Sequence, residues 1–216
     1  MRRLPNQGYM VLQLVAPLMA WGKPGRRDTR LTEQHPSKGS IVGLIANAMG
    51  KERDDTTAIA EIAQVKMRSF AARPGNMTED YQTVSLPDRQ NPVVIHKYYL
   101  CDAAFVVILE GDYSIMTTYA EALKNPVRIL FIGRKCCLPS VPVLAGIFNK
   151  PFSMKDDFTS NLIRLLSRND SKLEVAMVSD CTPQEADDVL MDMPIKFGVA
   201  TGGYGRRPVK REIVEI

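Results

Sequence analysis

Residues 21–41 hold the densest chemistry in the sequence. Lys23, Arg26, Arg27, Arg30 and Lys38 stand against only Asp28 and Glu33, and they lead straight into Ser37, Lys38, Gly39 and Ser40. Ser37 and Ser40 are helix N-cap types, and a helix start leaves its first N–H groups free to hold an anion. Cations feeding a helix N-terminus suit a phosphate-bearing partner. The plain alternative is a well-capped surface helix behind a solvated loop. Two further basic spots follow. Arg134-Lys135 is a bare pair of charges. Gly198 to Arg207, GVATGGYGRR, joins glycines that let backbone approach a phosphate to Arg206 and Arg207, or is a hairpin loop with incidental arginines. Trp21, beside Gly22, is placed to stack on a base or to plug the core.

Catalysis has little material. His35 and His96 are the only histidines, and no Ser/His/Asp or HExxH spacing is present. Metal-independent RNA cleavage needs a base, an acid and a cation for the developing charge. His96-Lys97-Tyr98 contains those types, yet neighbours along a strand point to opposite faces. Asp54-Asp55 and Asp156-Asp157 lack a third ligand at useful spacing, so neither a metal nor another cofactor is expected. Cys101, Cys136, Cys137 and Cys181 show no CxxC spacing, which fits reduced thiols in a cytoplasm. Arg2-Arg3 followed by an apolar run resembles a signal peptide, but Pro5-Asn6-Gln7-Gly8, Gln13 and Pro17 interrupt it, and a buried strand is expected instead. No run approaches the ~20 apolar residues of a membrane span.

The elements that must position these residues read as α+β. Met10–Val15 is a strand ended at Pro17. Ile41, Leu44, Ile45, Ala48 and Met49 share one face of a helix over 40–50 that Gly50 stops. A second helical piece covers Thr56–Ala63, and Val65–Ala72 is a strand. From Arg73 to Lys97 prolines, glycine and asparagines break the pattern, and a connection this long is functional or disordered. Tyr98–Glu110 is the clearest strand, Ser114–Lys124 a helix burying Met116, Tyr119, Ala120 and Leu123, and Val127–Ile132 a closing strand. The order β-α-β-β-α-β is that of a ferredoxin-like, RNA-recognition-motif-like domain over 1–143. A smaller, mainly β region is expected over 144–216, with strands near 173–178 and 209–214 and a helix near 183–191. The apolar 98–110 strand lacks the basic and glycine positions of an RNA-recognition motif, so RNA would meet loops and helix ends.

Charge is modest in sum and uneven in place. The 216 residues carry +4, with 45% hydrophobic and 24% charged residues, an ordinary globular composition. Residues 1–53 hold nine Lys/Arg against three Asp/Glu, 196–211 five cations and no acid, and 173–195 six acids and no cation. Such sorting suggests one face for a polyanion and another for a protein neighbour or solvent.

Several segments together resemble one family. LVAPLMAWG (14–22), the R-x-T element at Arg27–Thr29 or Arg30–Thr32, PSKGSIVGLIANAMG (36–50), YYLCDAAFVVILEG (98–111) and ALKNPVRILFIGRKCCLPSVPV (122–143) carry the match. It is similar to the CasD family of type I-E CRISPR Cascade, within the RAMP superfamily. Gly39 here precedes Ser40, where the family has the reverse order. The resemblance implies a ferredoxin-like domain with a protruding thumb at about 73–97, including Arg73, Tyr81, Arg89, His96 and Lys97. It also implies a non-catalytic subunit that binds and caps the 5′ handle of crRNA. The implied RNA-binding set is Trp21, Lys23, Arg26, Arg27, Arg30, Ser37, Lys38, Gly39, Ser40, Arg134, Lys135, Arg206 and Arg207. Implied partners are the Cascade backbone, large and small subunits and the processing endoribonuclease, with target DNA met only indirectly. Metal-independent cleavage of repeat RNA and an RNA-independent protein adaptor are the other readings of the same residues.

Overall fold

A computed structural model describes residues 6–23, 28–85, 87, 91–149, 157–168, 173–197 and 203–216. Strand β1 (Gln7–Val15) has partners on both edges and both faces buried, which is why its sequence runs apolar rather than alternating. Strands β2 (Leu18–Met19) and β3 (Thr29–Arg30) follow. Helix α1 (Lys38–Ala48) starts at Ser37, whose Oγ accepts from Ser40 N at 3.3 Å, and ends at Gly50 with φ +71°. Only glycine enters that conformation without cost. Helix α2 (Thr56–Ala63) is capped by Asp55, whose carboxylate accepts from Ala58 N at 3.0 Å.

The remaining elements are β4 (Lys66–Arg73), β5 (Asn76–Val84), β6 (Val93–Cys101), β7 (Ala104–Asp112), α3 (Tyr113–Lys124), β8 (Leu144–Phe148), α4 (Asp157–Ser167), β9 (Glu174–Asp180), β10 (Asp188–Pro194) and β11 (Tyr204–Glu215). Seven strands form one antiparallel sheet in the order β10-β11-β9-β4-β7-β1-β8. A second sheet is the β5–β6 hairpin with β2 and β3 on the other edge of β6. Strand alternation divides the core. Met10, Leu12, Leu14, Phe105, Val107 and Leu109 meet α1–α3, while Tyr9, Val11, Val106 and Ile108 pack with Ile163 of α4 on the opposite face.

Four expectations fail for identifiable reasons. The apolar segment Val127–Ile132 joins no sheet. Val127 N donates to the Ala48 carbonyl at 2.9 Å and Asn47 Nδ2 to the Ile129 carbonyl at 2.9 Å, so α1 satisfies this backbone instead. The strand beside β1 is β8, which brings Phe148 into a stack on Tyr9 with centroids 4.8 Å apart. The helix expected near 183–191 is a turn followed by β10. Glu185 accepts from Thr182 N at 3.2 Å and Oγ1 at 2.7 Å, imitating a capping box, yet Val189 and Leu190 pair with β11. The segment 73–97 is a regular hairpin, in register from Asn76↔Cys101 to Val84↔Val93, rather than irregular chain. The strand expected over 98–110 is broken at Asp102, which has φ 53° and turns β6 into β7. The strands of 144–216 extend the large sheet through β4–β9 pairing.

Candidate nucleic-acid interface

The start of α1 already holds an anion, and it belongs to the protein. Lys38 N donates to Asp192 Oδ2 at 2.8 Å, and Ser40 N and Ile41 N donate to the Ser37 carbonyl at 3.1 and 3.2 Å. The Lys38 ammonium binds Asp180 Oδ2 at 2.9 Å and the Val65 carbonyl. Arg207 closes the group, with Nε and Nη2 on the two Asp192 oxygens at 2.7 Å each and Nη1 on Asp180 Oδ1 at 2.6 Å. Met67 N also donates to Asp180, at 2.9 Å. Two cations and two carboxylates thus balance in a dry site, where Lys38 and Arg207 side chains are each 1% exposed. Burial, the largest effect, pulls the Lys38 pKa below its usual value against the opposing pull of Asp180. Lys38 and Arg207 therefore join the core rather than an exposed phosphate-binding surface. Gly39 is buried with them, where a Cβ would press on the Tyr204 ring and the Asp192 carbonyl.

Trp21 is also core. It is 1% exposed, its ring meets Phe105 edge-on at 5.8 Å, and its N donates to Thr32 Oγ1 at 2.8 Å. Ser37 is buried as the cap.

Beside this cluster a cleft of about 390 Å³ opens between residues 22–23 and 32–37, the base of β5 and the edge strand β10. Lys23 and Arg211 are among its lining residues, each paired with a carboxylate, Glu33 at 3.4 Å and Asp188 at 2.9 Å. His35 lies against Phe105 with centroids 5.7 Å apart, and its Nδ1 is 3.4 Å from Ser69 Oγ. Burial, assisted by the positive charge of Arg211, lowers its pKa to about 4, so the ring is neutral at physiological pH.

The hairpin carries two chemically different faces. Cross-strand pairing places Asp80, Lys97 and Arg30 in one row, and Tyr99 follows Lys97 on that side. The Arg134 guanidinium sits 4.5 Å from the Tyr99 ring centre and donates to the Tyr98 and Arg30 carbonyls at 3.0 and 2.8 Å. Lys97 donates to Gln82 Oε1, while the Asp80 carboxylate accepts from Gln82 Nε2 at 2.6 Å. Among the described residues, Arg30, Lys97, Arg134 and Lys135 form no ion pair with a carboxylate. Arg134 is held instead by neutral oxygens and a ring, so it keeps its whole charge for an external anion.

The opposite face shows Met77, Glu79, Tyr81, His96 and Tyr98. Tyr81 meets His96 edge-on at 5.6 Å, and His96 Nδ1 bonds Glu79, which holds that carboxylate's pKa below its usual value.

Comparison with known proteins settles the family. A model described as CRISPR-associated protein (Cas_Cas5) matches residues 9–210. The chain belongs to this family. The CRISPR system Cascade subunit CasD of Escherichia coli (strain K12) is 25% identical over 161 residues, 65% of this chain and 71% of that protein. A chain of a solved CRISPR RNA-guided surveillance complex shares the fold with a TM-score of 0.76 at 22% identity, over 96% of this chain and 90% of the other. A crystal structure of a Cas protein superposes with a TM-score of 0.67 at 24% identity, covering 95% and 94%.

In this Cas5-family chain the sequence-derived set thus divides. Lys23 borders the cleft; Arg30, Lys97 and Arg134 meet on the hairpin, and Lys135 is exposed next to Arg134. Arg206 is exposed on β11, apart from Arg207. Ser40 supports the cap, its Oγ 2.7 Å from that of Ser37. Arg73 is a brace at the hairpin base, binding Asp102 Oδ1 at 3.0 Å and the Leu166 carbonyl at 2.9 Å. Arg26, Arg27 and Arg89 lie outside the described residues. Sequence reasoning missed Asp180, Asp192, His35, Arg211, Met77 and Met191. The six acids of 173–195 were the available signal for the first two.

Proposed function

We propose that this chain is a non-catalytic RNA-binding subunit of a type I-E CRISPR surveillance complex, holding the 5′ handle of crRNA. One observation carries the reading: Arg30, Lys97 and Arg134, which have no carboxylate partners among the described residues, meet on one face of the β5–β6 hairpin, with Lys135 exposed next to Arg134. Unneutralised cations gathered on one face suit the phosphates of a single strand. The sheet supports the finer fold reading. Within it, β4-β7-β1-β8 is an antiparallel four-strand order with α1 and α3 as crossovers, the ferredoxin-like arrangement, and β5–β6 is the thumb. The relative named a Cascade subunit supports assembly into such a complex; backbone, large and small subunits, a separate processing endoribonuclease and a cytoplasmic location belong to the same proposal.

The test is filter binding of handle RNA against a scrambled sequence over a salt series. Handle preference is expected, and Arg30→Ala or Lys135→Ala lowers the slope of log K against log salt by about 0.7 each, the single-strand value per phosphate. Lys38→Met leaves the slope unchanged because its charge is internal. Equal binding of both RNAs would overturn the reading in favour of a protein adaptor.

An endoribonuclease reading draws on the Glu79–His96–Tyr98 side of the hairpin, where a base and an acid share a face. Lys97 points to the other face, leaving that constellation without its cation. Cleavage of repeat RNA in EDTA that disappears in His96→Ala would establish it.

A further inference from the structure

The cleft has a chemistry that phosphate binding alone does not use. Its walls include the thioethers of Met77 from β5 and Met191 from β10, together with Leu190 and Pro36. These are flat, polarizable or apolar surfaces of the kind that cover a heterocyclic ring. Gln34 adds hydrogen-bonding groups, whereas the Thr32 hydroxyl is already engaged with Trp21 N and the Glu33 carbonyl. His35 stands among them as an uncharged ring, packed on Phe105 with its Nδ1 toward Ser69 Oγ, so Nε2 is the nitrogen left for a ligand. Charge is confined to Lys23 and Arg211 and their carboxylate partners Glu33 and Asp188, while Asp192 in the lining is already bound by Arg207.

About 390 Å³ lies at the small end of ligand pockets, enough for a single planar ring system with its sugar and too narrow for a duplex. Neutral hydrogen-bonding groups with apolar walls match a nucleobase. Met77 also belongs to the hairpin face that carries Tyr81, His96 and Tyr98, so a strand stacked along that face would run into the recess.

We propose that this cleft receives one unstacked base of the bound RNA strand and reads it through Gln34 and His35. The proposal rests on the handle reading above and gives that site its sequence selectivity. A free mononucleotide has the same chemistry, so the experiment must separate the two sources.

Handle RNAs carrying one abasic ribose at each position in turn are bound to the wild-type chain and to Met77→Ala/Met191→Ala. Both methionines are half-exposed, at 51% and 50%, so the double variant keeps the core intact. One position is expected to lose about tenfold to a hundredfold in affinity in the wild type, the range for one stacked base, and under about twofold in the variant. At that same position Gln34→Ala narrows the differences among the four bases. A uniform abasic profile, unchanged in the variant, would overturn the pocket while leaving handle binding in place. Competition by millimolar nucleoside monophosphates equal to that of the handle would assign the cleft to a free nucleotide and overturn the proposal. Loss of all preference for handle over scrambled RNA removes the handle reading and the pocket together.

Discussion

Replacing Asp192 tests whether the first turn of α1 is a structural joint rather than an RNA contact. Its carboxylate caps Lys38 N at 2.8 Å and holds Arg207 twice at 2.7 Å, with Arg207 1% and Asp192 10% exposed at their side chains. Removing one partner of such a pair costs about 3–5 kcal/mol, and the lost cap falls within that figure because the same atoms supply it. For a chain of this size about 4 kcal/mol corresponds to a fall in Tm of roughly 8–16 °C. That is a large share of a stability of about 5–15 kcal/mol. Asp192→Ala is followed by circular dichroism on heating, alongside RNA binding well below the transition. Asp192→Ala/Arg207→Met should recover most of the loss, since Lys38 and Asp180 then remain as a balanced pair. A Tm within about 3 °C of wild type in the single variant, or a lowered salt slope with unchanged Tm, would refute the buried-joint account.

Two other predictions follow from local geometry. His35 has a folded pKa of about 4 against 6.5 unfolded, so the unfolded chain takes the proton first as pH falls, and stability is lost between pH 6.5 and 4. Urea titrations should show about 2 kcal/mol less stability at pH 5 than at pH 7 from this group, and His35→Gln should flatten that difference; an equal slope in the variant would assign the titration elsewhere. Gly133 has φ +87°, and a Cβ there would overlap the Ala20 carbonyl oxygen, so Gly133→Ala must move the turn that carries Arg134. It should lower Tm and reduce the RNA salt slope by about 0.7 although no charge is removed; an intact slope would free Arg134 from the interface.

The helices and central strands were readable because each carries its own signal. Ile41, Leu44, Ile45 and Ala48 mark the buried face of α1, and Met116, Tyr119, Ala120 and Leu123 that of α3. The hairpin was not readable, because NMTEDYQTV of β5 has no apolar alternation and its pairing partner supplies the order. Val127–Ile132 and Leu144–Phe148 are both apolar enough for the place beside β1, and only the Tyr9–Phe148 stack and the contacts to α1 separate them. Part of the site was legible as a basic tract. Which cations face outward was not, since Lys38 meets Asp180 and Asp192 only after some 140 residues of intervening chain.

That long-range pairing changes what the charge pattern means. Read linearly, the acid tract 173–195 and the basic tract 196–211 suggest two opposed surfaces. In the fold they largely cancel each other: Asp180 and Asp192 neutralise Arg207 and Lys38 inside, and Asp188 pairs with Arg211 at 2.9 Å. The cations left without a carboxylate partner among the described residues include those at 30, 97, 134 and 135, and the oxygens that hold Arg134 and Lys97 are neutral. A charge fixed by carbonyls, as at Arg134, pays little to reorganise when a phosphate arrives. Selectivity for one strand then has to come from shape and from the neutral groups of the cleft, because a phosphate looks the same in every sequence.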